Sequence, residues 1–182
     1  AFNEPGSGRF YLYSTIHSPT PISRTDERSV FWKTLRRANL SLAFCTLKYY
    51  HRKIPVSIVT PRWFESLNAG CVVIGKRPDT PLADQLLDWP DATIDVPDDP
   101  GDLVAFLEDL LAQPDRLDAA RRESRRAFLT RHDIRYRVQD VLKVMGVEPS
   151  ALLTQEMDRL KAIGRETFPE PSSPAATVQG KA

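Results

Sequence analysis

The stretch Val59 to Gly75 (VTPRWFESLNAGCVVIG) constrains this chain more than any other. Thr60 suits a helix N-cap because its hydroxyl can accept from an orphan backbone N–H, and Pro61 suits the first helical position, where no N–H is needed. Val59 and Phe64 fall at the two positions of a hydrophobic staple. Gly70 supplies a left-handed residue that ends the helix, and the apolar run Cys71 to Ile74 is short enough to be a buried strand. The stretch therefore predicts a loop, a short helix, a tight turn and a strand in immediate succession.

A helix start at the edge of a sheet presents unpaired N–H groups and a partial positive charge, an arrangement suited to phosphate. Arg62 sits in the first turn, and Glu65, three residues on, projects from the same side. One offers a guanidinium fork and the other a carboxylate, which between them match a diphosphate and the hydroxyls of a ribose or sugar. An Arg and a Glu at this spacing also form ordinary surface ion pairs, so the spacing alone leaves both readings open. Thr60 and Ser66, on the same segment, complete the candidate set at this end.

The remainder reads as alternating strands and helices. Arg9 to Ser14 is aromatic-rich and strand-like, and Pro19 and Pro21 break the segment from His17 to Asp26, which makes His17 a loop candidate. A helix capped by Thr25 or Asp26 is predicted through Asn39, with Val30, Phe31, Thr34, Leu35 and Ala38 on its apolar face. Leu40 to Cys45 is a nearly continuous apolar run, the pattern of a parallel strand covered on both faces. Between it and the central helix lies a basic and aromatic loop with Lys48, Tyr49, Tyr50, His51, Arg52 and Lys53; ligands of such sheets bind beyond the strands' carboxyl ends, so His51 is a candidate there. Lys76 and Arg77 leave the second strand at the same edge, Lys76 as a further phosphate candidate and Arg77 as either that or part of a charged turn. A short helix over Leu82 to Asp88 and an edge strand over Ala92 to Val96 follow.

From Pro100 the pattern is helical. Leu103, Phe106, Leu107, Leu110 and Leu111 mark one helix; Leu117, Ala120, Ser124, Ala127 and Phe128 mark the inward face of another that starts at Pro114; and Tyr136, Val138, Val141, Leu142 and Met145 mark a third, closed by Gly146. A last amphipathic helix, Pro149 to Ile163, carries a stripe of Leu152, Leu153, Met157, Leu160 and Ile163 that needs a partner, either this domain or another chain. The domain division is an irregular lead over 1–8, a Rossmann-like domain over 9–146, the C-terminal helix over 147–165 and a disordered tail over 166–182.

Composition excludes some function classes. With 25 Lys and Arg against 24 Asp and Glu, the formal net charge of +1 argues against a general nucleic-acid surface, and the run Arg121 to Arg126 is offset by Asp115, Asp118 and Glu123. No apolar run approaches the ~20 residues of a membrane helix. Cys45 and Cys71 sit inside apolar runs and read as buried free thiols, consistent with a reducing, cytoplasmic setting. The start at Ala1, with no leader pattern, reads as a fragment. No G-x-G-x-x-G follows a predicted strand, which disfavours a dinucleotide-dependent oxidoreductase.

The segment Pro61 to Val73 resembles the R-x-F-E-x-x-x-A-G-x-x-V signature of the C-terminal domain of GT-B-type glycosyltransferases. It is most similar to the group with a single glutamate, since Ser57 stands where many members carry a second one. The likeness continues through Asp98 to Leu103, Leu110 to Arg116 and His132 to Arg137, over roughly Ser29 to Gly146. It implies an α/β, Rossmann-like parallel sheet of about four strands that binds a nucleotide-diphosphate sugar, with the carboxylate of Glu65 on ribose or sugar hydroxyls. It also implies a hexosyltransferase-type enzyme working with an acceptor-binding N-terminal half and inactive without it. No Asp-x-Asp motif is present, so neither a metal nor another cofactor is expected. The alternative is a non-catalytic Rossmann-like packing or interaction module, with self-association through 149–163.

Overall fold

The computed structural model describes Gly6, residues 24–44 and residues 58–169. The strand expected at Arg9–Ser14, His17, Cys45, the basic loop with His51 and the tail from 170 onward lie outside the described residues. The elements run α1 (Arg24–Leu35), β1 (Leu40–Phe44), α2 (Pro61–Ala69), β2 (Val72–Lys76), α3 (Pro81–Leu86), β3 (Ile94–Asp95), a 3-10 turn (Pro100–Asp102), α4 (Leu103–Leu111), α5 (Pro114–Ala127), a π-helical turn (Phe128–His132), α6 (Ile134–Val144) and α7 (Ala151–Thr167).

The three strands form one parallel sheet in the order β1-β2-β3, with Leu42 opposite Ile74 and Ile74 opposite Ile94. The central strand dictates this arrangement because both of its faces are covered. Val73, with Ala43, faces a cluster containing Trp63, Leu67, Leu87, Trp89 and Phe128. Val72 and Ile74, with Ile94, face Leu110, Leu117 and Ala120. Each of the valine, leucine, isoleucine and phenylalanine side chains contributes roughly 1.5–3 kcal/mol on burial, which no solvent-facing antiparallel sheet would collect from both sides. The architecture is therefore the expected Rossmann-like α/β fold, with three strands among the described residues.

Two glycines make the β1-α2-β2 unit possible. Gly70 takes the left-handed conformation (φ 80°), so that the Cys71 N–H reaches the Ser66 carbonyl at 3.0 Å and the chain turns from helix into strand. Gly75 lies at φ 151°, and a Cβ there would collide with the Ala43 carbonyl on the neighbouring strand. Cys71, fully buried between them, is a free thiol whose pKa burial pushes up to about 11.

Several helices differ from their sequence patterns. Helix α1 contains Thr25 and Asp26 instead of being capped by them, and it stops at Leu35 in a turn closed by Ala38 N–H on the Leu35 carbonyl. Leu35 is buried but Val30 is exposed, so the apolar face is narrower than expected. All five inward positions expected on α5 are buried, through Phe128, yet the helix continues into the π turn before Asp133 caps α6. Helix α6 buries no residue at all: Val138, Val141 and Met145 are exposed, and it is fastened by Tyr136, whose hydroxyl donates to the Leu129 carbonyl at 3.0 Å. The last helix packs on this domain, burying Met157 and Gly164 and setting Leu160 and Phe168 against the core, while Leu152 and Ile163 stay exposed. It runs on to Thr167, so residues 166 and 167, expected as tail, are helical. No helix among the described residues is long and apolar enough to cross a membrane.

Gly75→Ala tests the close approach of β1 and β2. The substitution is expected to cost about 3 kcal/mol or more in chemical denaturation, through backbone strain and displacement of the Ala43 carbonyl. A loss within the usual surface range of about 0.5 kcal/mol would show that the strands do not approach as described.

Candidate functional site

The sheet topology decides which side chains share an edge. Because β1 and β2 are parallel, α2 must return from the carboxyl end of β1 to the amino end of β2, so its first turn lies at the carboxyl edge. Helix α1 runs into the amino end of β1 and has the same direction. The starts of α1 and α2 therefore meet at the edge where open α/β sheets bind ligands.

At that meeting point the Glu65 carboxylate lies between two guanidinium groups. Its Oε1 accepts from Arg28 Nη1 at 3.0 Å, and its Oε2 lies 3.8 Å from Arg62 Nη1. Both cations stack on one aromatic ring: Arg62 Cζ is 4.6 Å and Arg28 Cζ 5.2 Å from the Phe31 centroid, with Trp32 5.5 Å from Arg28. Rings beneath guanidinium groups restrict their rotamers and leave their outer edges available. The Glu65 side chain is 19 % exposed and that of Arg62 is 42 %, so the cluster sits at the surface and not in the core. The spacing in the sequence brought Arg62 and Glu65 together. Arg28, 37 residues away, was legible only as part of α1's polar face.

The other expected residues are placed differently. Thr60 stands at the N-cap with an extended backbone, but its hydroxyl makes no capping hydrogen bond; the Trp63 N–H instead uses the Thr60 carbonyl at 3.2 Å. Pro61 occupies the first turn as expected, and Val59 and Phe64 both pack on the core below α2. Ser66 is fully buried where α2 meets β1, its oxygen 2.7 Å from the Arg62 carbonyl and 2.8 Å from Ser41 Oγ. A hydroxyl has one proton, so Ser66 donates to the carbonyl and accepts from Ser41, locking α2 to β1. Lys76 ends β2 at the carboxyl edge and is paired with Asp98 at 3.0 Å. Arg77 is tied to α3, donating to the Leu87 carbonyl at 3.1 Å and to Asp84 at 2.7 Å. His51 lies outside the described residues. Among the described residues no three His, Cys, Asp or Glu side chains gather as a metal site.

One buried titratable group was marked in the sequence only as the first residue of the similar run His132 to Arg137, with no role. His132, in the π turn, is 7 % exposed, and its ring lies 5.3 Å from Phe64 and 5.9 Å from Trp89. Nδ1 is 3.4 Å from Arg137 Nη2, while Nε2 has no hydrogen-bond partner among the described residues. Burial, then the repulsion of Arg131 and Arg137, lowers its pKa to about 4, with Asp88 and the Leu86 backbone opposing. The imidazole is therefore neutral at pH 7, and it supports α2 from behind through Phe64. A histidine flanked by Arg131 and Asp133 carries no periodic signal, so only the three-dimensional packing reveals it.

Comparison with known proteins gives one finding. A family model described as glycosyl transferase-like matches residues 15–143, which takes in α1 to α6 and leaves α7 outside. No curated protein and no solved structure matches the chain.

The buried imidazole makes stability depend on pH. Its folded pKa of about 4 lies below the ordinary 6.5, so the unfolded chain takes up the proton first. The contribution is complete above pH 6.5 and is lost as pH falls toward 4, amounting to roughly 3 kcal/mol over that window. Denaturation curves of the wild type and His132→Phe should diverge in this interval, the variant having the flatter profile. Parallel profiles would place the imidazole in contact with water.

Proposed function

We propose that this chain, which belongs to the glycosyl transferase-like family, binds the nucleotide-diphosphate sugar donor at the shared starts of α1 and α2. The observation that carries the reading is the Glu65 carboxylate held between Arg28 and Arg62 at the sheet's carboxyl edge. In this reading the Arg62 backbone N–H at the start of α2 and the Arg62 guanidinium hold the diphosphate, and Arg28 supplies a second cation from α1. Glu65 accepts hydrogen bonds from ribose or sugar hydroxyls. As the bond between the sugar and the diphosphate breaks, negative charge grows on the leaving oxygen, and fixed cations that need no reorganisation stabilise it. Both ion pairs to Glu65 are partly exposed, where such pairs contribute little, so a ligand can exchange for them at small cost. Lys76, at the same edge and on an exposed pair with Asp98, is available to the same anion. His51 joins the site as a proposal on sequence alone, as does the requirement for an acceptor-binding half before transfer can occur.

The Glu65 pairing also supports a second reading, a non-catalytic module in which Arg28 and Glu65 merely bind α1 to α2. The two separate in one experiment. Titration calorimetry with uridine and guanosine diphosphates and their sugar conjugates is expected to show binding that Arg62→Ala or Glu65→Gln weakens at least about tenfold, equivalent to about 1.4 kcal/mol. Their melting temperatures should change little. No binding of any of these probes, or binding indifferent to both substitutions, would favour the packing module.

A further inference from the structure

A second concentration of positive charge lies where the end of α5 and the π turn meet α7. An open hollow of about 500 Å³ is lined, among the described residues, by Arg126, Thr130, Arg131, Lys161, Arg165, Phe168 and Pro169, none of them a carboxylate. It shares no residue with the cluster of Arg28, Arg62 and Glu65. Its walls come from two regions remote in sequence: the end of α5 with the π turn, and the second half of α7. The family match ends at residue 143, so only one wall belongs to the shared domain.

A specific contact closes the hollow. Gly164 of α7 lies so close to the π turn that a Cβ there would be 2.8 Å from Thr130 Cγ2 and 3.3 Å from Leu129 Cβ. Lys161 and Arg165 are four residues apart and share one helix face, so this close approach carries both to Arg126 and Arg131. Four cations brought together repel one another, and neighbouring carboxylates compensate. Glu123 pairs with Arg126 at 2.5 Å, Asp88 with Arg131 at 2.8 Å and Asp158 with Lys161 at 3.4 Å. Arg165 has no ion pair among the described residues. The Arg131 guanidinium is also held over the Trp89 ring at 5.2 Å, which fixes its direction. The pairs of Arg131 and Lys161 are exposed, and such pairs yield readily to a stronger anion.

We propose that this hollow binds a small ligand carrying a diphosphate or other polyphosphate group, with Lys161 and Arg165 of α7 and Arg131 of the π turn as its main contacts. Arg126 is taken by Glu123 through both Nε and Nη2, and the three charges of Arg131, Lys161 and Arg165 still exceed the roughly 1.5–2 negative charges of a single phosphate, which suits a group of higher charge. The volume falls in the range of small-ligand sites, and Phe168 gives the ligand's organic part an apolar wall. The same phosphate chemistry is offered by a soluble ligand or by an anionic lipid headgroup.

The test uses the full chain with two probes, inorganic pyrophosphate in calorimetry and vesicles containing phosphatidic acid in co-sedimentation. The double variant Lys161→Ala/Arg165→Ala changes two side chains on the surface of α7, and its melting temperature checks that it folds. Both chains also carry Arg62→Ala, which removes the proposed diphosphate site at α2, and the expected result is saturable binding of one probe, reduced by added salt and weakened at least about tenfold by the Lys161→Ala/Arg165→Ala pair. Pyrophosphate as the responsive probe assigns a soluble ligand, and vesicles alone assign a lipid headgroup. Equal affinity with and without the Lys161→Ala/Arg165→Ala pair in this Arg62→Ala background, or no binding of either probe to it at about 1 mM, would overturn the proposal.

Discussion

Coverage of β2 on both faces is the constraint from which the rest of the structure follows. A strand whose consecutive residues Val72, Val73 and Ile74 are all buried needs a helical layer on each side. Parallel pairing with β1 satisfies this, because the connection between parallel strands must itself cross a face of the sheet. That crossing is α2, and its direction is then fixed: the amide-rich first turn lies at the carboxyl edge. The same geometry aligns α1 and brings Arg28 to Glu65. The charged cluster at the sheet edge is thus a consequence of how a short apolar strand is buried, with Gly75 permitting the close contact to β1 and Ser66 bolting α2 onto Ser41.

The sequence was most readable where local chemistry and tertiary packing agree. Pro61, Gly70 and the apolar run after it marked α2 and β2 because each residue has a backbone requirement of its own. The inward face of α5 was equally plain, since Leu117, Ala120, Ser124 and Ala127 repeat at helical spacing and are all buried. Periodicity misled at α6, whose Val138, Val141 and Met145 form a regular stripe that the domain does not cover. A stripe records amphipathicity and says nothing about what lies opposite. The Thr60 hydroxyl was assigned a capping role from residue type alone, but the backbone carbonyl performs it. The Arg28–Glu65 pair, the buried His132 and the hollow against α7 were invisible for one common reason: each joins residues 30 or more positions apart, or depends on a ring's surroundings.

The π turn at Phe128–His132 connects the two regions of interest. On its inner side His132 is packed against Phe64 of α2 and stays neutral because it is dry and faces two arginines. On its outer side Thr130 and Arg131 line the basic hollow. The widened turn lets adjacent residues serve the core and the surface, a use of π geometry found often at functional sites. Docking of α7 against it, made possible by Gly164, gives the matched domain a charged surface it would otherwise lack. Arg121, Arg125 and Arg126, which read in sequence as a basic run, are here spread over separate partners: Asn39 and Asp118, Asn68, and Glu123.

The central claim is that the shared start of α1 and α2 holds an activated sugar through its diphosphate. Amide and arginine side-chain NMR spectra recorded during addition of a uridine-diphosphate sugar examine it most directly. The account predicts that the largest shifts fall on the backbone N–H of Arg62 and on the Nε–H signals of Arg28 and Arg62. Shifts confined to other parts of the chain, or none at saturating ligand, would contradict it.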